Sequence, residues 1–179
     1  IMAWDDFVFH ITGRVRISQT SALLLLYDLI KKIEIGSFVF PTLQSFWPTG
    51  RKIYNYFRLI DSELVDAQKF FSNSYEFWRL SLWGEKVGIE EKKFLLFCKS
   101  LGQVYQIFKE RLLQDNLAYV ELALRDMLDK KRELTFPYKN IFFVGIVESS
   151  SLYVKTLNFL KSKEINIYPE AINNLIVGA

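Results

Sequence analysis

The sequence predicts a mainly α protein, with a helical bundle over residues 1–136 followed by a short parallel βαβ unit over residues 137–179. Three observations carry this expectation. Between Glu90 and Gln114, apolar residues fall at Phe94, Phe97, Leu101, Val104, Tyr105, Phe108 and Leu112, a 3,4 spacing that lays one broad stripe along a helix. After Pro137 the pattern changes to a continuous apolar run, IFFVGIV. An amphipathic stretch with Leu152, Leu157 and Leu160 and then a second short run, INIY, complete a strand, a helix and a strand. Finally, a chain of 179 residues that is 50% hydrophobic and 16% aromatic has ample apolar material for a core.

The elements follow in order. The segment FVFHITGRVRI fits a short helix and then an extended piece. Residues 20–33 predict a helix capped by Ser18 or Thr20, with two lysines at its negative end and Gly36 as its stop. Residues 37–50, with two prolines and a glycine, read as a connection holding a short turn of helix at most. Helices are expected over 50–60 and over 62–71, the latter capped by Asp61 or Ser62, and a shorter one over 73–83 closed by Gly84. The long helix 90–114 turns at Asp115-Asn116 into a helix over 117–130, with Leu117, Val120, Leu124 and Met127 or Leu128 on one side. So short a corner predicts that these two helices pack antiparallel. In the βαβ unit, strands are expected at 141–146 and 165–168, the first covered on both faces. Two strands make a small sheet, so either the N-terminal residues add a strand or the rest lies outside this chain.

Composition excludes several function classes. The longest apolar run, Ala22 to Tyr27, is far shorter than the roughly 18 residues of a membrane span, and the N-terminus lacks a secretory pattern. One cysteine, Cys98, forms no internal disulfide and reads as a buried thiol in a reducing cytoplasm. The opening Ile1 gives the expectation of a fragment. No phosphate-binding loop GxxxxGK[ST] is present, and PTGRK at 48–52 reads as a proline-opened helix start. A single histidine, His10, supports neither a His/Cys zinc site nor a histidine pair, and reads as structural or exposed. Asp61, Glu63 and Asp66 fall at an expected helix start, where carboxylates cap. The acid-x-lysine triplets Asp129-Lys130-Lys131 and Glu90-Glu91-Lys92 sit on helices rather than strands and lack a further acid for a metal. No catalytic residue, metal site or cofactor site is therefore assigned.

The net charge is +3, a mild excess that favours an anionic partner. Arg51 and Lys52 lie near Trp47, and Lys130, Lys131, Arg132 and Lys139 gather just before the first strand. Solvated charged faces are the plain explanation. The alternative is phosphate contact, with Trp47 stacking on bases, through Trp47, Arg51, Lys52, Lys130, Lys131, Arg132 and Lys139.

Residues 46–71, FWPTGRKIYNYFRLIDSELVDAQKFF, together with QVYQIFKERLLQDNLAY at 103–119 and FFVG at 142–145, resemble successive stretches of the AddB-like, PD-(D/E)XK-nuclease-family proteins of bacterial helicase-nuclease systems. The resemblance implies that the helical part is a subdomain inserted in a RecA-like helicase domain and that FFVG lies on the strand which, in active helicases, carries the Walker B carboxylate. Here that strand ends in Gly145 and Ile146 without an acid. Tyr56 stands where the family places an acid, and Ile146 and Tyr153 also depart from its pattern. The resemblance implies a non-catalytic, helicase-like segment of a DNA repair or recombination exonuclease. Its partners would be DNA, the remainder of the parent protein and a helicase subunit, with no cofactor of its own. A helical protein-interaction module without nucleic-acid binding is the other reading, and an independent enzyme on a βαβ scaffold has the least support.

Overall fold

The computed structural model describes residues 2–32, 40–81, 88–130, 138–143 and 150–168. Among these, seven helices are formed: α1 (Trp4–Thr12), α2 (Gln19–Lys32), α3 (Leu43–Ser62), α4 (Ala67–Ser81), α5 (Ile89–Gln114), α6 (Val120–Lys130) and α7 (Ser151–Lys161). Four short strands accompany them: β1 (Val15–Arg16), β2 (Leu117–Ala118), β3 (Asn140–Phe142) and β4 (Asn166–Tyr168). None of the helices among the described residues is long and apolar enough to cross a membrane. The chain separates into two compact units, one of Val15–Ile60 and Val65–Tyr119, the other of Ile1–Arg14, Asp61–Leu64 and Val120–Ala179.

In the first unit, α5 buries its stripe of Phe97, Leu101, Val104, Tyr105, Phe108 and Leu112, and it packs along α4 and against α2. Phe57 of α3 is fully buried, with its ring centroid 5.2 Å from Tyr105, 5.9 Å from Phe108 and 6.1 Å from Phe71. The approach of α4 to α5 is close enough to need a glycine. A Cβ on Gly102 would lie 2.6 Å from Gln68 Oε1 and 3.2 Å from Gln68 Cα, which is backbone. Gly102→Val should therefore push the helices apart and destabilise the chain by about 1–3 kcal/mol, measurable by equilibrium denaturation. Strands β1 and β2 pair in parallel, Val15 with Leu117 and Arg16 with Ala118.

In the second unit, α6 packs against α1 and α7. Phe7, Val8, Ile11, Leu122, Met127, Phe143, Leu152, Tyr153 and Leu160 form its core. Trp4 meets Phe143 and Tyr153 edge-on at 5.4 Å each. The side chain of Ser150 caps α7 by accepting from the Tyr153 amide at 3.3 Å. The expected parallel βαβ unit is formed: β3 and β4 flank α7 and pair Asn140 with Asn166, Ile141 with Ile167 and Phe142 with Tyr168.

Several expectations hold and several are corrected. The short helix and extended piece at the N-terminus are α1 and β1, and the extended piece joins β2 rather than the β3–β4 pair. Ser18 caps α2, its Oγ accepting from the Ser21 amide at 3.0 Å. The connection at 37–50 is overturned over its described part, because α3 is already helical from Leu43 and carries Pro48 inside it. Thr42 starts that helix, its Oγ1 accepting from the Ser45 amide at 3.1 Å and its carbonyl from the Phe46 amide at 3.1 Å. Pro48 costs one backbone hydrogen bond; burial of Phe46, Ile53, Tyr54, Phe57 and Ile60 along one side outweighs it. PTGRK is thus helix interior rather than a helix start.

The helices expected over 62–71 and 73–83 are also corrected. Helix α3 runs through Ser62, Leu64 turns the chain at φ 55°, and a single α4 spans Ala67–Ser81. Its cap is Asp66, whose Oδ1 accepts from the Lys69 amide at 2.9 Å, not Asp61 or Ser62. Residues 117 and 118 form β2 before α6 begins at Val120, and Asn116 makes the corner at φ 59°. Helices α5 and α6, expected to pack antiparallel, belong to different compact units. Nor is β3 covered on both faces, for Asn140 and Phe142 are exposed. The stops at Gly36 and Gly84, residues 144–146 of the first strand and the division at 136/137 lie outside the described residues.

Candidate nucleic-acid interface

Helix α3 sorts its side chains sharply. Phe46, Gly50, Ile53, Tyr54, Phe57 and Ile60 are buried, while Arg51, Lys52, Asn55, Tyr56, Arg58 and Leu59 are exposed and Trp47 is half-buried. At about 100° per residue, Trp47, Arg51 and Arg58 fall within about 40° of one another around the axis, and Lys52 and Tyr56 form a second row. No acid occurs anywhere from Leu43 to Ile60. Gly50 makes room for the Phe46 ring one turn back, since a Cβ there would collide with it. The result is a cationic, partly aromatic face on a firmly seated helix. Arg51 and Lys52 have no ion-pair partner among the described residues.

The remaining predicted cations are placed differently. Lys130 Nζ lies 2.7 Å from Asp126 Oδ1, so its charge is already partly engaged. Lys139 is exposed just before β3, and its carbonyl accepts from the Asn166 amide at 2.9 Å. Lys131 and Arg132 lie outside the described residues. Arg51 and Lys52 belong to one compact unit and Lys130 and Lys139 to the other.

The titratable groups elsewhere serve the fold. Arg14 Nη2 donates to Asp126 Oδ2 at 2.6 Å, and both side chains are only 5% exposed. Burial pushes the Asp126 carboxyl up, but hydrogen bonds from Lys130 and Arg14, with their charges, outweigh it and hold the group below its ordinary value. Asp61, read from the sequence as a helix-start carboxylate, is fully buried near the end of α3 and accepts from Arg125 Nη1 at 3.1 Å. Glu63 accepts from the Ser151 hydroxyl at 3.1 Å. His10 is exposed, with Nε2 3.4 Å from the Tyr138 hydroxyl. Burial pushes the half-buried Cys98 thiol up, away from reactivity. Among the described residues no three His, Cys, Asp or Glu side chains are placed to hold a metal ion.

Two members of the α3 face were not assigned to it from sequence. Arg58 stands seven residues after Arg51 and Tyr56 four after Lys52, so the helical period within the helix expected over 50–60 already places both beside them. No protein-family model, curated protein or solved structure matches this chain.

Proposed function

We propose that this chain is a non-catalytic, helicase-like segment of a DNA repair or recombination exonuclease, and that α3 offers a face for DNA. One observation carries the DNA part: Arg51, Lys52 and Arg58 are exposed on a helix that has no acid from Leu43 to Ile60, with Trp47 half-exposed beside Arg51. Guanidinium and ammonium groups there neutralise backbone phosphates, and the indole gives an unpaired base a surface to stack on. The helicase-like part is supported by the AddB-like sequence resemblance and by the parallel β3–α7–β4 connection, the unit from which RecA-like sheets are built. On this reading the remainder of the parent protein and a helicase subunit are the protein partners, DNA is bound without sequence preference, and the segment works in the cytoplasm without a cofactor.

The test is a titration of the chain against labelled single-stranded and duplex DNA at several salt concentrations. Arg51→Gln/Lys52→Gln should weaken duplex binding and flatten the slope of log K against log salt by about 0.9 for each lost contact, with the melting temperature unchanged. Equal binding by both proteins, or none by either at low salt, would refute the DNA face. The same helix exposes Tyr56 at 49% and Leu59 at 52%, and these favour the second reading, a protein-docking helix, in that event.

A further inference from the structure

The β3–β4 pair carries two large rings in the open. Phe142 is 63% and Tyr168 45% exposed; they face each other across the strands with centroids 4.5 Å apart and planes at 11°. Two residues earlier on the same face, Asn166 Nδ2 donates to Asn140 Oδ1 at 2.9 Å. That bond leaves the Asn140 amide donors and the Asn166 oxygen for a planar polar ligand. Ile141 and Ile167, by alternation, belong to the opposite face. Alongside β4 runs a groove of about 470 Å³ lined by Lys161, Glu164, Asn166 and Tyr168, among others, and Lys139 is exposed at the start of β3. The strands are parallel, so both starts lie at one end, cationic, and both aromatics at the other.

From this we infer that the exposed face of β3 and β4 is a base-stacking platform for single-stranded nucleic acid, an assignment that rests on the DNA reading and adds a second contact site to it. A layer of polypeptide covering the sheet would call for an apolar face, whereas here the aromatic pair shares its face with two asparagines and has lysines at one end. Stacked rings present a flat π surface that any base can extend, and asparagines offer hydrogen bonds to a base edge. Lys139 and Lys161 supply charge for the phosphate. From Asn140 to Phe142 the strand rises about 7 Å, the reach from a backbone phosphate to the base it carries. Glu164 is the one acid among the described residues lining the groove, and it opposes the phosphate.

The experiment compares the 179-residue chain with Phe142→Leu/Tyr168→Leu, which keeps apolar bulk and removes the π faces. Labelled oligo-dT of about 15 nucleotides and a duplex are titrated at two salt concentrations. Expected are a loss of about tenfold or more for oligo-dT, an unchanged salt slope and unchanged duplex binding. Lys161→Gln should weaken and Glu164→Gln strengthen oligo-dT binding, and an iodouracil-substituted strand should crosslink to Tyr168. Both rings are exposed, so circular dichroism melts of the variants should match wild type. Equal oligo-dT affinity for wild type and the double-leucine variant, with binding that still responds to Arg51→Gln/Lys52→Gln, would overturn this inference alone. Duplex binding without oligo-dT binding would do the same. No binding of either DNA at low salt would overturn both readings, and self-association lost in the double-leucine variant would then assign the rings to a polypeptide contact.

Discussion

Asp126→Ala should cost about 3–5 kcal/mol of folding free energy, because it removes the carboxylate to which Arg14 Nη2 donates at 2.6 Å, in a site where both side chains are 5% exposed. The loss is expected in a urea or guanidinium titration as a lower midpoint with little change of slope. Replacing both partners, as Arg14→Met/Asp126→Leu, should recover much of it, since it removes the buried cation together with its carboxylate. The same group sets an acid dependence. Its folded value lies below that of an unfolded aspartate, near 3.9. Its contribution is therefore complete at neutral pH and lost as the pH falls through the folded value. The difference in melting temperature between wild type and Asp126→Asn should accordingly shrink from about pH 7 to about pH 3.

Phe57→Ala should be comparably severe, about 3–5 kcal/mol, since it empties a fully buried site in contact with Phe71, Tyr105 and Phe108. Its second effect separates seating from charge. Phe57 holds α3 down while Arg51 and Lys52 stand on its outer side. Loosening the helix should therefore weaken DNA binding together with stability, whereas Arg51→Gln/Lys52→Gln should weaken binding alone. Denaturation midpoints and anisotropy measured on the same preparations distinguish the two. A Phe57→Ala chain that melts like wild type would place the weight of the core elsewhere.

Helix α5 was legible because its own residues decide it: Phe97, Leu101, Val104, Phe108 and Leu112 keep the 3,4 spacing, and burial follows. The β3–α7–β4 unit was legible for a similar reason, as the period changes visibly after Pro137. Helix α3 was not, because Pro48 and Gly50 argue locally for a break while the energy that overrides them comes from burial of Phe46, Ile53 and Phe57, the last against Tyr105 and Phe108 far along the chain. The ion pairs were hidden by distance. Arg14 and Asp126 stand 112 residues apart, and Asp61 and Arg125 stand 64 apart, so neither pair leaves a local trace. The Asp126–Lys130 pair did leave one, an i, i+4 spacing, and it qualifies Lys130 as a phosphate ligand in a way the basic run alone does not show. On the candidate face, Trp47, Arg51 and Lys52 could be named from sequence, but their arrangement depended on the helix being continuous.

The chain enters and leaves its two compact units at residues 14/15, 60/61, 64/65 and 119/120. During synthesis this ordering separates the fates of the two. The unit containing α2 to α5 has all its residues once Tyr119 has left the ribosome. Helix α1 emerges ahead of α2 to α5, yet α6 and α7, which belong to its unit, emerge after them. At about 5–20 residues per second it waits on the order of ten seconds with Phe7, Val8 and Ile11 uncovered. Helix α1 is thus translated ahead of a unit to which it does not belong and buried after it, and the nascent chain meanwhile carries an apolar face that a chaperone would meet before the fold does.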